Sequence, residues 1–139
     1  MTRILTALRR MSRDERGFVT NFFVRTVIAF ALVAVVVNEV GQILLTTVHA
    51  HNAAGAAAQA AADSYKHNHS LPLAHDAAVQ ASLHEDPSAK VIKLTIDIKS
   101  GAAVAVVKET ASTLVVSRVS FLQKYDVVRA SEEETPNSM

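Results

Sequence analysis

Two sets of side chains in this sequence have types that could do specific chemistry: six histidines, and one acid and one base set in apolar sequence. The histidines are His49, His51, His67, His69, His75 and His84. Imidazoles hold a divalent transition metal when three or four ligands converge on it. His49 and His51 are two apart on a predicted helix, so they diverge by about 200°. His67 and His69 share a predicted loop and could both reach one ion, yet no second ligand pair has matching spacing. The expectation is solvated surface histidine, with no metal and no cofactor. Serine and histidine occur without a nucleophile motif, and the glycines are isolated, without a phosphate-cradling loop. No enzyme is expected.

The acid and base are Glu39 and Arg25, within Phe22 to Val48, FFVRTVIAFALVAVVVNEVGQILLTTV. An ionisable group at membrane depth points to function and needs a partner. At about 100° per residue the two lie within about 40° of one helix face. They are separated by roughly 21 Å along the axis, too far to pair within one chain. The plainer reading has Arg25 snorkelling inward and Glu39 reaching the outer headgroups. The other pairs them between neighbouring subunits staggered along an assembly.

The element that positions both is a long helix. Val27 to Val37 is apolar without a break, and a span needs about 20 mostly apolar residues. Half of the 139 residues are hydrophobic but only 5% are aromatic. Alanine and valine therefore dominate, which suits close helix packing better than a bulky core. Net charge is +1 and gives no field for nucleic acid, and the absence of cysteine excludes disulfides and thiolate sites. Arg3, Arg9, Arg10, Arg13 and Arg16 precede the apolar stretch, and no Lys or Arg follows it until Lys66. The positive-inside bias predicts a cytoplasmic N-terminus and an extracytoplasmic C-terminal part. A cleaved secretory signal, cut near Ala50 to Ala53, is the rival reading, though the apolar run is long for one.

Residues 50 to 66, AHNAAGAAAQAAADSYK, have high helix propensity and should prolong the helix. A continuous helix over 18–66 would be about 70 Å long. His51, Gln59, Asp63 and Lys66 fall on one side, and Ala50, Ala53, Ala54, Ala57 and Ala61 on the other. Beyond a break at Asn68 to Pro72, Ser70 is placed to cap a short helix over 71–84. Asp86-Pro87-Ser88 marks a turn. Val91 to Ile98 then alternates, with Ile92, Leu94, Ile96 and Ile98 on one face. Ser100-Gly101 supplies a hairpin turn, and Ala103 to Val107 the return strand. Thr110 to Leu122 fits a helix better than a strand. Tyr125 to Ala130 reads as a last strand, and the acidic segment 132–139 as a disordered tail. The predicted class is α+β, a long N-terminal transmembrane helix running into a small antiparallel β-sheet domain. Its parts are a basic cytoplasmic leader (1–17), the long helix (18–66, membrane part about 22–48), the outer domain (67–131) and the tail (132–139). Ile92, Leu94, Ile96 and Ile98 are expected to pack on Ala54, Ala57 and Ala61.

In order and spacing these residues resemble the TadE-like family, pilin-type proteins of tight-adherence (Tad) pilus systems. Arg16-Gly17-Phe18-Val19-Thr20 is similar to a prepilin-peptidase site with cleavage between Gly17 and Phe18. Asn38-Glu39-Val40-Gly41-Gln42 is similar to a Glu-Phe-Gly-Arg-like element late in the family's membrane helix. The Ala-rich stretch from Asn52 to Ala62, a strand pair and a final short strand complete the likeness, which covers nearly all of the chain after Arg13. Where the family usually has Glu, at the fifth position of the mature helix, this chain has Phe22. That departure fits a divergent minor subunit or accessory pseudopilin better than a major pilin. The resemblance implies a structural or accessory subunit of a Tad-type pilus or secretion apparatus, assembling through its helix at Arg25, Glu39 and Gly41. It implies membrane lipid, other pilin-like subunits or Tad membrane machinery, and a prepilin peptidase as partners. The place implied is the bacterial cytoplasmic membrane or a pilus. The alternative is an unprocessed single-pass subunit binding another membrane protein through the same helix.

Overall fold

In the computed structural model, the backbone is described for residues 2–137 and side chains from Val19 to Asn137. For the expected basic leader from Thr2 and for the Gly17-Phe18 junction only the backbone is described, and Met1, Ser138 and Met139 lie outside the described residues. Helix α1 spans Thr2–Asn68, α2 spans Leu71–Glu85, and three strands follow, β1 (Lys90–Ile96), β2 (Ala103–Thr110) and β3 (Val127–Glu134). The layout is α+β, with a long apolar N-terminal helix and a small antiparallel sheet of order β1-β2-β3.

The chain divides into two compact units after Asn38. The first is helical, and its described apolar side chains, from Val19 on, are bare: Phe22, Phe23, Phe30, Leu32 and Val36 are all exposed. An 18-residue window between Val19 and Asn68 reaches a mean hydropathy of 2.2, and the helix is long and apolar enough to cross a membrane. β-Branched residues lower helix propensity in water. In lipid, only a helix or a closed barrel satisfies every backbone group, which favours a helix here.

The second unit begins at Glu39 and holds the sheet. Its core is made of small side chains. Ala57, Ala58, Ala61 and Ala62 of α1, Ala74 and Ala78 of α2, and Ala103 and Ala105 of β2 are all fully buried and pack together around Tyr65. A second cluster joins Ala50, Ala53 and Ala54 to Ala89, Val107 and Ala130. Alanine lets helix and sheet backbones approach closely, because no long side chain separates them. The α1 helix ends where His69 turns left-handed (φ 50°) and its amide bonds to the Tyr65 carbonyl at 2.7 Å. Helix α2 follows at once, with Ala74, Ala78 and Ser82 on its buried stripe. Ser70 occupies its N-cap position but its side chain makes no capping bond; Pro72 in the first turn presets the entry instead.

Several expectations need correction. The first concerns β1. Its pairing with β2 slips between Val91 and Lys93, which leaves Ile92 as an extra residue. A bulge switches the inward face by one residue. Val91, Leu94 and Ile96 therefore turn toward the alanines. Ile92 is 50% exposed, and Ile98 lies beyond the strand end at 72%. Neither packs on α1. The hairpin turn forms as Asp97 accepts bonds from the Lys99 amide (2.9 Å) and the Ser100 hydroxyl (2.8 Å). Gly101 is required there, since its φ is 75° and a Cβ would lie 3.0 Å from Pro136.

The second correction concerns 110–122, which is not a helix. β2 continues through Thr110, and a loop follows with two single 3-10 turns, Val116–Arg118 and Gln123–Tyr125. Val115, Val116 and Val119 are β-branched, which lowers helix propensity there. The third concerns the acidic segment. Glu132, Glu133 and Glu134 are in β3, opposite Ala105, Val104 and Ala103. Edge-strand pairing orders the segment despite its charge, and residues beyond it strap onto α1. The Asn137 amide and side chain both bond to Asp63, and Lys66 donates to the Asn137 carbonyl at 2.6 Å.

Candidate functional site

Polar chemistry within the second unit gathers at one end of the helix–sheet contact. Ala103 and Ala105 pack near Ala57 to Ala62, and Val107 near Ala50 to Ala54. Moving on along β2 in the same alternation, the next inward residue is Glu109, which is 1% exposed. Its Oε1 has no hydrogen-bond partner. Burial pushes the Glu109 carboxyl above the ordinary glutamate range; the nearby Asp86 carboxylate adds to the rise and His49 opposes it. His49 Nδ1 lies 3.2 Å from Asp86 Oδ2. Asp86 itself is held below its usual range, first by the Ser88 hydroxyl and amide bonds and then by His49. One residue from α1, one from the end of α2 and one from β2 thus meet in a mixed polar group.

Glu39 forms the second part of the site. It is only 5% exposed. Its Oε1 accepts the Leu114 amide at 2.7 Å and the Val115 amide at 3.1 Å, and Oε2 accepts the Val116 amide at 3.2 Å. These amides open the first 3-10 turn, where backbone N–H groups have no partner of their own. A carboxylate is the matching acceptor, and charge-assisted bonds are the stronger kind. Below the turn, the Ala111 amide bonds to the Asp126 carbonyl at 2.7 Å, and Thr113 Oγ1 donates to the Asp126 carboxylate. Ser117 bonds back to Thr113 twice, through its amide and its hydroxyl. The 111–126 loop is therefore closed at its base and clasped to α1 by one side chain.

This changes the reading of Glu39. Its carboxylate neither reaches outward to headgroups nor stands free to meet an Arg25 from another chain, because three amides of its own chain surround it. Gly41 is half-buried, and a Cβ there would meet nothing within 4 Å, so no close approach within the chain demands glycine. Arg25 is exposed and belongs to the first unit. Ala54, Ala57 and Ala61 lie in the core described above, with Leu94 and Ile96 against it.

The histidines are dispersed. His51 Nδ1 lies 2.6 Å from Glu132 Oε1, His67 Nδ1 lies 2.7 Å from the Asp63 carbonyl, and His69 stacks edge-on against Tyr65. His75 faces Asp76 at 3.9 Å. Among the described residues no three His, Asp or Glu side chains gather to hold a metal ion. At the far end of the sheet an open cleft of about 410 Å³ lies between Tyr65, Lys66, Ile98, Gly101 and Pro136.

Sequence reasoning missed Glu109, Thr113 and Asp126. Glu109 was legible in principle, since it extends the inward alternation of Ala103, Ala105 and Val107 by one step, beyond where the strand was expected to stop. Thr113 and Asp126 carry no local signal, because their bond depends on where a loop closes. Comparison of this chain with family models, with curated proteins and with solved structures finds no match, so the site's meaning rests on its own geometry.

Proposed function

We propose that this chain is a pilin-like structural or accessory subunit of a Tad-type pilus or secretion apparatus, anchored in the bacterial cytoplasmic membrane by α1. The observation that carries this reading is the division of labour along one helix. Its first part exposes Phe, Leu, Ile and Val, and its later part buries a face of alanine against a three-stranded sheet. A helix apolar all round suits lipid or other helices, whereas a small-residue face suits a close-fitting sheet. Assembly, not catalysis, is the work such a rod does. Lateral packing of the exposed apolar part joins it to like subunits or to membrane machinery, with the sheet outside the membrane. A prepilin peptidase would act between Gly17 and Phe18.

An unprocessed single-pass subunit is the second reading. It is favoured by Phe22, which stands where related pilins carry the acid that meets a neighbour's new N-terminus. Intact mass of the protein purified from membranes separates the two. A mature chain starting at Phe18 supports the pilin reading. A chain starting at Met1, in cells that process other prepilins, overturns it in favour of the second.

A further inference from the structure

The loop from Leu114 to Tyr125, LVVSRVSFLQKY, is built inside out. Its polar groups are used internally: the Ser117 bonds to Thr113, the Gln123 amide to the Ser117 carbonyl at 2.9 Å, and three backbone amides to Glu39. Its large apolar side chains point away. Leu114 is 64% exposed, Phe121 73% and Tyr125 56%, with Val115 also exposed. A free-standing loop in water normally shows the opposite arrangement, since exposed apolar patches mark a contact surface.

We propose that this loop is a second membrane contact, seated in the interfacial layer of the outer leaflet beside the emerging helix. The proposal rests on the reading of α1 as a membrane anchor. Three observations select lipid as the occupant. First, the clasp ties the loop to Glu39, two residues beyond the unbroken apolar run Val27 to Val37. Val40, Leu44, Leu45 and Val48, on the same stretch of helix as Glu39, are exposed too. The loop is thus fastened to the first residue of the second unit, in the stretch of chain that follows the apolar run. Second, the segment carries Arg118 and Lys124 and no acid, which matches anionic headgroups. Lys124 Nζ sits 4.9 Å from the Tyr125 ring centre, so cation and aromatic form one unit. Third, aromatic and cationic residues together are the composition of the membrane–water interface. Glu39 then has a definite task. It satisfies the loop's backbone amides where the loop meets α1, and it sets the loop's depth.

The test uses the full chain in lipid nanodiscs containing phosphatidylglycerol. The protein has no native cysteine, so single spin labels can be placed through Phe30→Cys, Phe121→Cys and Ile98→Cys. Collision with oxygen, which concentrates in lipid, is compared with collision with a water-soluble nickel chelate. The expected result is a lipid signature at 30, an aqueous one at 98, and at 121 an oxygen-to-nickel ratio several-fold above that at 98. A ratio at 121 equal to that at 98, with 30 still in lipid, overturns the loop contact and leaves the anchor standing. An aqueous signature at 30 overturns the anchor, and the loop proposal with it. Spin–spin broadening at 121 with low access to both reagents overturns it in favour of a second copy covering the loop. Adding Glu39→Ala to the Phe121→Cys chain should broaden the range of depths, because the loop loses its tie.

Discussion

The two ends of the helix–sheet contact solve the same problem with opposite materials. From Ala50 to Ala62, the contact is alanine against alanine and valine, with side chains fully buried and little that is polar. From His49 back to Glu39 it is carboxylates, amides and a histidine. The alanine seam is strong through contact distance and indifferent to pH. The polar end holds a loop in a defined place, but it depends on every acceptor finding its donor, and at Glu109 one oxygen does not. Small side chains fix how near two elements come. Charged ones fix where a third element attaches.

The largest effect should come from filling the seam. Ala58 is fully buried, and Ala58→Phe would force helix and sheet apart at a cost of about 3 kcal/mol. Thermal unfolding of the full chain in nanodiscs should show the outer domain losing its cooperative transition, or melting far earlier. Glu39→Ala comes next and acts at the other end. The amides of Leu114, Val115 and Val116 lose their acceptor, and their hydrogen exchange should quicken by at least about tenfold. Exchange at Ala105 and Val107 should change little. Equal acceleration in both places would mean that the ends are not separable.

Glu109 sharpens the contrast with a gain. Glu109→Met removes an unsatisfied buried oxygen and keeps the side-chain length, and should stabilise the domain by about 1 kcal/mol near neutral pH. The sign follows from titration. Glu109 titrates above its unfolded value, so the ionisation part of its burial cost is absent below the ordinary glutamate range, and stability is lost as pH rises through its raised value. Asp63, Asp86 and Asp97 titrate below theirs, so their contribution is present above the ordinary aspartate range and lost on acidification. The benefit of Glu109→Met should therefore grow with pH and be smallest in acid, where only the unpartnered oxygen still counts; a pH-independent benefit would sink this account. The smallest effect tests the bulge. Ile92→Thr should change stability by less than about 0.5 kcal/mol, because Ile92 faces out. Leu94→Ala, two residues on and half-buried, should cost about 2 kcal/mol.

Legibility followed the same divide. The long helix, its alanine face and the hairpin could be read because period and propensity are local properties. The bulge at Ile92 could not. A strict alternation of Ile92, Leu94, Ile96 and Ile98 is a better strand pattern than the one adopted, and only pairing with Val107 and Val106 decides the slip. The three glutamates of β3 looked like a solvated tail because composition says nothing about a neighbouring edge. Glu39 could be singled out as an acid in apolar sequence, but its partners were sought on other molecules. They lie in its own chain, as backbone groups that no sequence pattern displays.

The clasp also has an order in time. Glu39 and the Leu114 amide it accepts are 75 residues apart, so a ribosome making this chain delivers the acid long before it delivers the donors. Until then the carboxylate lacks the three backbone amides that meet it in the folded chain. Closure of the 111–126 loop on Glu39 must wait until the segment from Leu114 to Val116 has been made. The arrival of those three amides converts an isolated charge into a fastening.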